Sequence, residues 1–136
     1  MAGKSASGRA LILFAHGARD PRWAEPLTRI QQLVTLRSDG SLPVYQAFLE
    51  LMSPTLPELV AKLSADQFTH LHIVPIFLGQ GGHVRNDLPK LIQQLELTYP
   101  LVSFHLANAI GEDEQVLNAI ADVCIANLTN PIPPEA

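Results

Sequence analysis

The sequence predicts an α/β domain built on a four-stranded parallel sheet with helices on both faces. Two observations carry that expectation. Four short apolar runs alternate with four helix-periodic segments, the pattern of strands joined by crossover helices. The 136 residues, 47% of them hydrophobic, also suit one compact domain with a real core.

The first strand is read at Ala10-Leu-Ile-Leu-Phe-Ala15. Asp20 then caps a helix with Pro21 in its first turn, and Trp23, Leu27, Ile30 and Val34 recur at helical spacing as a core stripe. A polar loop containing Ser38, Asp39, Gly40 and Ser41 leads to the second strand, Val44-Tyr-Gln-Ala-Phe-Leu49, with Glu50 at its end. Ser53 and Pro54, or the capping box of Thr55 and Glu58, start a helix that buries Leu56, Leu59, Val60 and Leu63.

The third strand runs through Leu71-His-Ile-Val-Pro-Ile-Phe77, where Pro75 costs a ladder hydrogen bond and argues against a regular central strand. After the loop Leu78-Gly-Gln-Gly-Gly-His83, a helix places Val84, Leu88, Leu91, Ile92 and Leu95 on one face. Val102 to Ala107 form the fourth strand, and the last helix spans roughly Glu112 to Leu128. Its apolar face, Val116, Leu117, Ile120, Val123 and Cys124, predicts packing that makes Cys124 a small core residue. The organisation read this way is an N-terminal extension over 1–9, a domain over 10–129 and a loosely ordered tail over 130–136, which carries three prolines.

Nine Lys and Arg against thirteen Asp and Glu give a net charge of -4, which argues against nucleic-acid or anionic-membrane partners. No apolar stretch approaches a membrane span, and the run after Lys4 and Arg9 is short for a signal-peptide core. A lone cysteine offers neither an internal disulfide nor a cysteine-rich zinc site, so a cytoplasmic location is expected.

In an open parallel sheet, ligands bind at the carboxyl ends of the strands, where strand order reverses. Three ionisable residues fall there: His16 after strand one, Glu50 after strand two and His83 closing the glycine-rich loop after strand three. Two imidazoles and a carboxylate suit a borderline divalent cation such as cobalt, iron, nickel or zinc. Gly79, Gly81 and Gly82 lack the spacing and ending of a phosphate-binding loop. They read instead as space and backbone freedom beside His83, so that a flat ligand can approach the chain. Arg19, Arg22 and Arg85 lie within a few residues of the two histidines and suit carboxylate recognition. His70 and His72 share one side of strand three but start from its far end, on the order of 20 Å from the rim at about 3.3 Å per residue. His105, inside strand four, is expected to be packed or hydrogen-bonded.

The segments His16-Gly-Ala-Arg-Asp-Pro21, Phe48-Leu-Glu50-Leu with Pro54, and Pro75-Ile-Phe-Leu with Gly81-Gly-His83-Val-Arg-Asn-Asp-Leu-Pro89 resemble the small CbiX and SirB group of sirohydrochlorin chelatases. The likeness spans most of residues 10 to 111. It implies a chelatase-like fold of flavodoxin-like strand order and insertion of cobalt, ferrous iron or, by extension, nickel into a tetrapyrrole for cobalamin or sirohaem. It also implies His16, Glu50 and His83 as metal-contacting and catalytic residues. Arg19, Arg22, Arg85, Gly81 and Gly82 are the candidate substrate contacts. No organic cofactor is implied, and the metal is a substrate. Family members often carry serine where this chain has Ala18, which removes a hydroxyl from the first loop. Larger relatives contain two such lobes, so a homodimer is the expected form of a one-lobe chain. Two other functions fit the same residues: phosphoryl transfer through a phosphohistidine at His16 with Arg19 on the phosphate, and a metal or tetrapyrrole carrier without turnover.

Overall fold

The structure, a computed structural model, describes residues 8–79 and 81–129, with His83 as backbone alone. The expected tail over 130–136, and all but the end of the extension over 1–9, lie outside the described residues. Four parallel strands form one sheet: β1 (Arg9–Ala15), β2 (Val44–Phe48), β3 (His70–Pro75) and β4 (Ser103–Leu106), in the order β2-β1-β3-β4. The helices between and after them are α1 (Glu25–Arg37), α2 (Leu56–Ala65), α3 (Gly82–Thr98) and α4 (Glu114–Ala126). The strand order turns back between β1 and β3, which places the crevice of a doubly wound sheet above those two strands.

One face of the sheet carries the larger core. Ala10, Ile12 and Phe14 of β1 and Leu71 and Ile73 of β3 are fully buried there against α2 and α3. The predicted stripes account for that packing: Leu56, Leu59, Val60 and Leu63 of α2 and Val84, Leu88, Ile92 and Leu95 of α3 are buried, with Leu91 at the margin. Each such side chain contributes roughly 1.5–3 kcal/mol by leaving water. The capping box at the start of α2 is also formed, with Thr55 Oγ1 accepting from the Glu58 amide and the Glu58 carboxylate accepting from the Thr55 amide at 2.8 Å.

On the opposite face, Leu13, Ala15, Val44 and Phe48 pack with Ala24 and Leu27, and Ile30 and Val34 of α1 close the edge. Trp23 departs from its expected place in this stripe and is 42% exposed. The segment that Asp20 caps, Pro21–Ala24, is a 3-10 turn, and α1 restarts at Glu25 with Pro26 in its first turn. The tighter turn shifts Trp23 out of phase with the face that Leu27 continues.

Pro75 does not interrupt the central strand, because it is the last residue of β3 and the ladder resumes with the Ile76 amide donating to Phe14 O at 2.7 Å. A larger correction concerns α4. Its apolar face is not packed: Ile120 is 40% and Val123 64% exposed, and Cys124 is an exposed thiol rather than a core residue. Amphipathicity shows that a helix has a face to bury but not where the partner lies. Among the described residues, no helix covers β3 and β4 on the α1 side, where Leu11, Leu42, His72, Val74 and His105 line an open cavity of about 510 Å³. Both faces of the sheet are therefore covered, but the second only over β1 and β2. Among the described residues, no helix is long and apolar enough to cross a membrane.

Candidate active site

His16 directly follows β1, at the point where the strand order reverses. Its half-buried ring lies over Phe77, with centroids 4.4 Å apart and planes tilted by 37°. Phe77 is 5% exposed and is held edge-on by Phe14 at 5.9 Å. The imidazole thus rests on an aromatic floor anchored in the main core, which fixes its height at the rim while leaving one side open.

Glu50 reaches the same rim through its backbone. The β1–β2 pairing continues past β2, with the Leu49 amide donating to Ala15 O at 2.9 Å and the Glu50 amide to His16 O at 3.1 Å. Gly17 makes this approach possible. It has a φ of +92°, and a Cβ there would run into the Glu50 carbonyl oxygen. The Glu50 side chain is exposed.

His83 is the second residue of α3, so its backbone sits in the helix's first turn on the far side of the crevice from Glu50. Its imidazole lies outside the described residues. Among the described residues, no three His, Cys, Asp or Glu side chains are grouped to hold a metal ion. The glycines before His83 partly meet expectation. A Cβ at Gly79, Gly81 or Gly82 would meet nothing within 4 Å, so the loop does leave space. None of them adopts a left-handed φ, however, and Gly81 is extended at φ -68° and ψ 161°. Their use here is room, not unusual backbone angles.

The arginines separate. Arg19 is exposed, three residues after His16 in the chain. Arg22 is engaged by Asp20, whose carboxylate accepts from its Nη2 at 2.8 Å and from its backbone amide at 2.9 Å. That pairing holds the Asp20 carboxyl below the usual carboxylate range. Arg85 lies on α3 beside a cavity of about 330 Å³ shared with Pro75, Leu88, Asn108 and Glu112, toward the β4 end of the rim.

The remaining histidines gather on the open face, at the opposite end of the strands from His16. His72 stacks on His105 at 4.5 Å and 12°, and His70 on His105 at 5.9 Å and 23°. His105 is exposed, and the packing expected of it takes the form of these two ring contacts. Partial burial, helped by the charges of His105, Arg9 and His70, lowers the His72 pKa below the usual imidazole value. Near-parallel rings point their nitrogens alongside one another, which does not converge lone pairs on one ion.

The sequence model of the CbiX family matches residues 10–125. The chain belongs to the CbiX family. In this family setting it is 27% identical to the sirohydrochlorin cobaltochelatase of Methanosarcina barkeri, over 81% of this chain and 89% of that protein. It is 28% identical to the sirohydrochlorin ferrochelatase of Bacillus subtilis over 82% of its own length, but spans only 42% of that relative. Among solved structures, a CbiX protein from Marinobacter aquaeolei, described as putative in cobalamin (vitamin B12) biosynthesis, superposes with a TM-score of 0.75 at 32% identity, covering 88% of this chain and 97% of that one. SirB from Bacillus subtilis with Fe3+ superposes at 0.70 and 26% identity, over 90% of this chain and 48% of SirB. These likenesses bear out the expected family and the chelatase fold.

Two residues that position the site were not singled out from sequence. Phe77 reads as one more apolar residue at the end of a strand run, and only the adjacency of β1 and β3 brings it under His16. Gly17 was part of the quoted His16-Gly pair, yet its contact is with Glu50, 33 positions away.

Proposed function

We propose that this CbiX-family chain is a sirohydrochlorin chelatase, inserting cobalt or ferrous iron into the macrocycle for cobalamin or sirohaem synthesis. The observation that carries the proposal is His16, half-exposed over Phe77 at the strand-order reversal, in a chain whose relatives in Methanosarcina barkeri and Bacillus subtilis are named for that activity. Insertion exchanges two pyrrole N–H protons for a cation, so the site must offer a metal ligand and a proton acceptor at one ring face. An imidazole does both near neutral pH, where its reference pKa is about 6.5. In this reading His16 and His83 bind the incoming metal, and Glu50 balances its charge or takes a proton. The open space at Gly81 and Gly82 admits the ring, and Arg19, Arg22 and Arg85 are its carboxylate contacts. In this reading the chain works in the cytoplasm as a homodimer, a second copy taking the place of the second lobe that larger relatives carry. The metal is consumed as substrate. Because the relatives are named as chelatases, the phosphohistidine and carrier readings are not favoured.

The test mixes purified protein with anaerobic sirohydrochlorin and Co²⁺, Fe²⁺ or Ni²⁺ and follows the absorption change against a protein-free control. Acceleration with at least one metal, lost in His16→Ala, is expected. No acceleration with any of the three removes the chelatase reading.

A further inference from the structure

Two leucines stand exposed on the carboxyl rim of the sheet, Leu51 at 58% and Leu78 at 69%. They follow the ends of β2 and β3, the two neighbours of β1, so their loops flank the one that carries His16, at a strand spacing of about 5 Å. Leucines scattered singly over a surface need no account, but these two lie on either side of the crevice that the strand order creates. Neither is exposed because its loop is loose. The Leu51 loop is tied down on both sides: the Phe48 amide donates to Pro54 O at 2.9 Å, and the Glu50 amide to His16 O at 3.1 Å. Between those bonds Leu51 holds a φ of +67°, a left-handed backbone that suits glycine or asparagine and is an outlier for a bulky side chain. Folding alone would not select leucine there. Leu78 is fixed from behind, because the Gly111 amide donates to Phe77 O at 2.9 Å and a Cβ on Gly111 would run into the Leu78 backbone. Phe77 is thus buried beneath His16 while the next residue, Leu78, faces solvent.

We infer that Leu51 and Leu78 make the apolar contact with the tetrapyrrole ring, on the two sides of His16. The inference rests on the chelatase reading above and names the residues that hold the macrocycle in place for it. A tetrapyrrole is a flat apolar ring whose carboxylates lie only at its periphery, so its site needs apolar side chains at the centre and cations further out. The rim has that layout: the leucines flank the loop of His16, and Arg85 stands toward β4. Ligand sites commonly combine such an apolar lining with a few placed polar groups. The pinned backbones strengthen the contact, because loops already held in place lose little freedom when the ring arrives.

The experiment titrates metal-free sirohydrochlorin, anaerobically, into wild type, Leu51→Asn, Leu78→Ser and Leu97→Ser and follows the absorption change on binding, with thermal unfolding and steady-state chelation measured on the same proteins. Leu97, exposed near the far end of α3, is the control. Leu51→Asn and Leu78→Ser should each raise Kd and KM for the tetrapyrrole at least fivefold, equally at low and high salt, with kcat within twofold, the pattern of lost uniform binding. Leu97→Ser should change none of these. Leu51→Asn should also keep or raise Tm, because asparagine accepts the left-handed backbone that leucine resists. A wild type that chelates, with rim variants that bind as tightly as it does, overturns the inference alone. Equal weakening in Leu97→Ser does the same, as does a lowered Tm in Leu51→Asn, which would show that the leucine serves the fold. A wild type that neither binds nor chelates removes the chelatase reading and the inference together.

Discussion

Replacing Gly17 by alanine should damage the site and the fold together, through a contact that can be costed. At φ +92° an L-residue pays about 1–2 kcal/mol for left-handed backbone. The new methyl would also press on the Glu50 carbonyl and lie 3.4 Å from Phe48 Cβ, so the 49–50 segment must retreat. Retreat stretches the 3.1 Å bond from the Glu50 amide to His16 O, and losing it costs about 0.5–1.5 kcal/mol. Together these give a loss of about 1.5–3.5 kcal/mol. With an unfolding entropy of about 2.1 cal/mol/K per residue, a chain of this length should show Tm lowered by about 5–12 °C. Chelation should fall at least tenfold, since His16 and Glu50 are held by the backbone that moves. Gly79→Ala is the control: its Cβ would meet nothing within 4 Å and its φ is not left-handed, so Tm should stay within about 2 °C. The assays are thermal unfolding by circular dichroism and the absorption assay with the preferred metal. Equal Tm for Gly17→Ala and wild type would refute the strain argument. A lowered Tm with undiminished turnover would refute the claim that this contact positions the site.

Phe77→Leu keeps a buried apolar side chain but removes the ring beneath His16; we expect kcat to drop at least fivefold with KM for the tetrapyrrole changed less than twofold, and wild-type kcat would show that the stacking is incidental. Arg85→Ala should raise KM for the tetrapyrrole and flatten its salt dependence, because exposed charges are screened over about 8 Å at physiological ionic strength. Arg22→Ala should do less, since its guanidinium is already paired with Asp20; equal effects in steady-state kinetics at low and high salt would contradict that ranking. The depressed His72 pKa means the unfolded chain binds a proton that the folded one resists. Its effect on stability is absent above the unfolded value of about 6.5, and stability is lost as pH falls from there through the folded pKa. Urea midpoints between pH 8 and 5 should therefore decline less in His72→Gln than in wild type, and parallel curves would remove His72 as the cause.

Much of the architecture was legible in the sequence because its signals are local. The stripes of α2 and α3 depend on residues three and four apart, and the Thr55–Glu58 box closes within one turn, so they appear in the structure as read. The rim placement of His16 and Glu50 follows from strand ends in a parallel sheet, again a short-range inference. What failed was decided by packing between distant segments. A 3-10 turn put Trp23 out of phase with α1, and α4 displayed an apolar face that the described residues leave exposed. The same limit hid the support of the site: β1–β3 adjacency brings Phe77 under His16, and β1–β2 adjacency brings the Glu50 carbonyl against Gly17. By itself the sequence determined the elements, their amphipathic faces and the loops that carry the reactive side chains. Only the tertiary structure decided which face was covered and which backbone approached which, because those outcomes depend on contacts between residues tens of positions apart that no local pattern encodes.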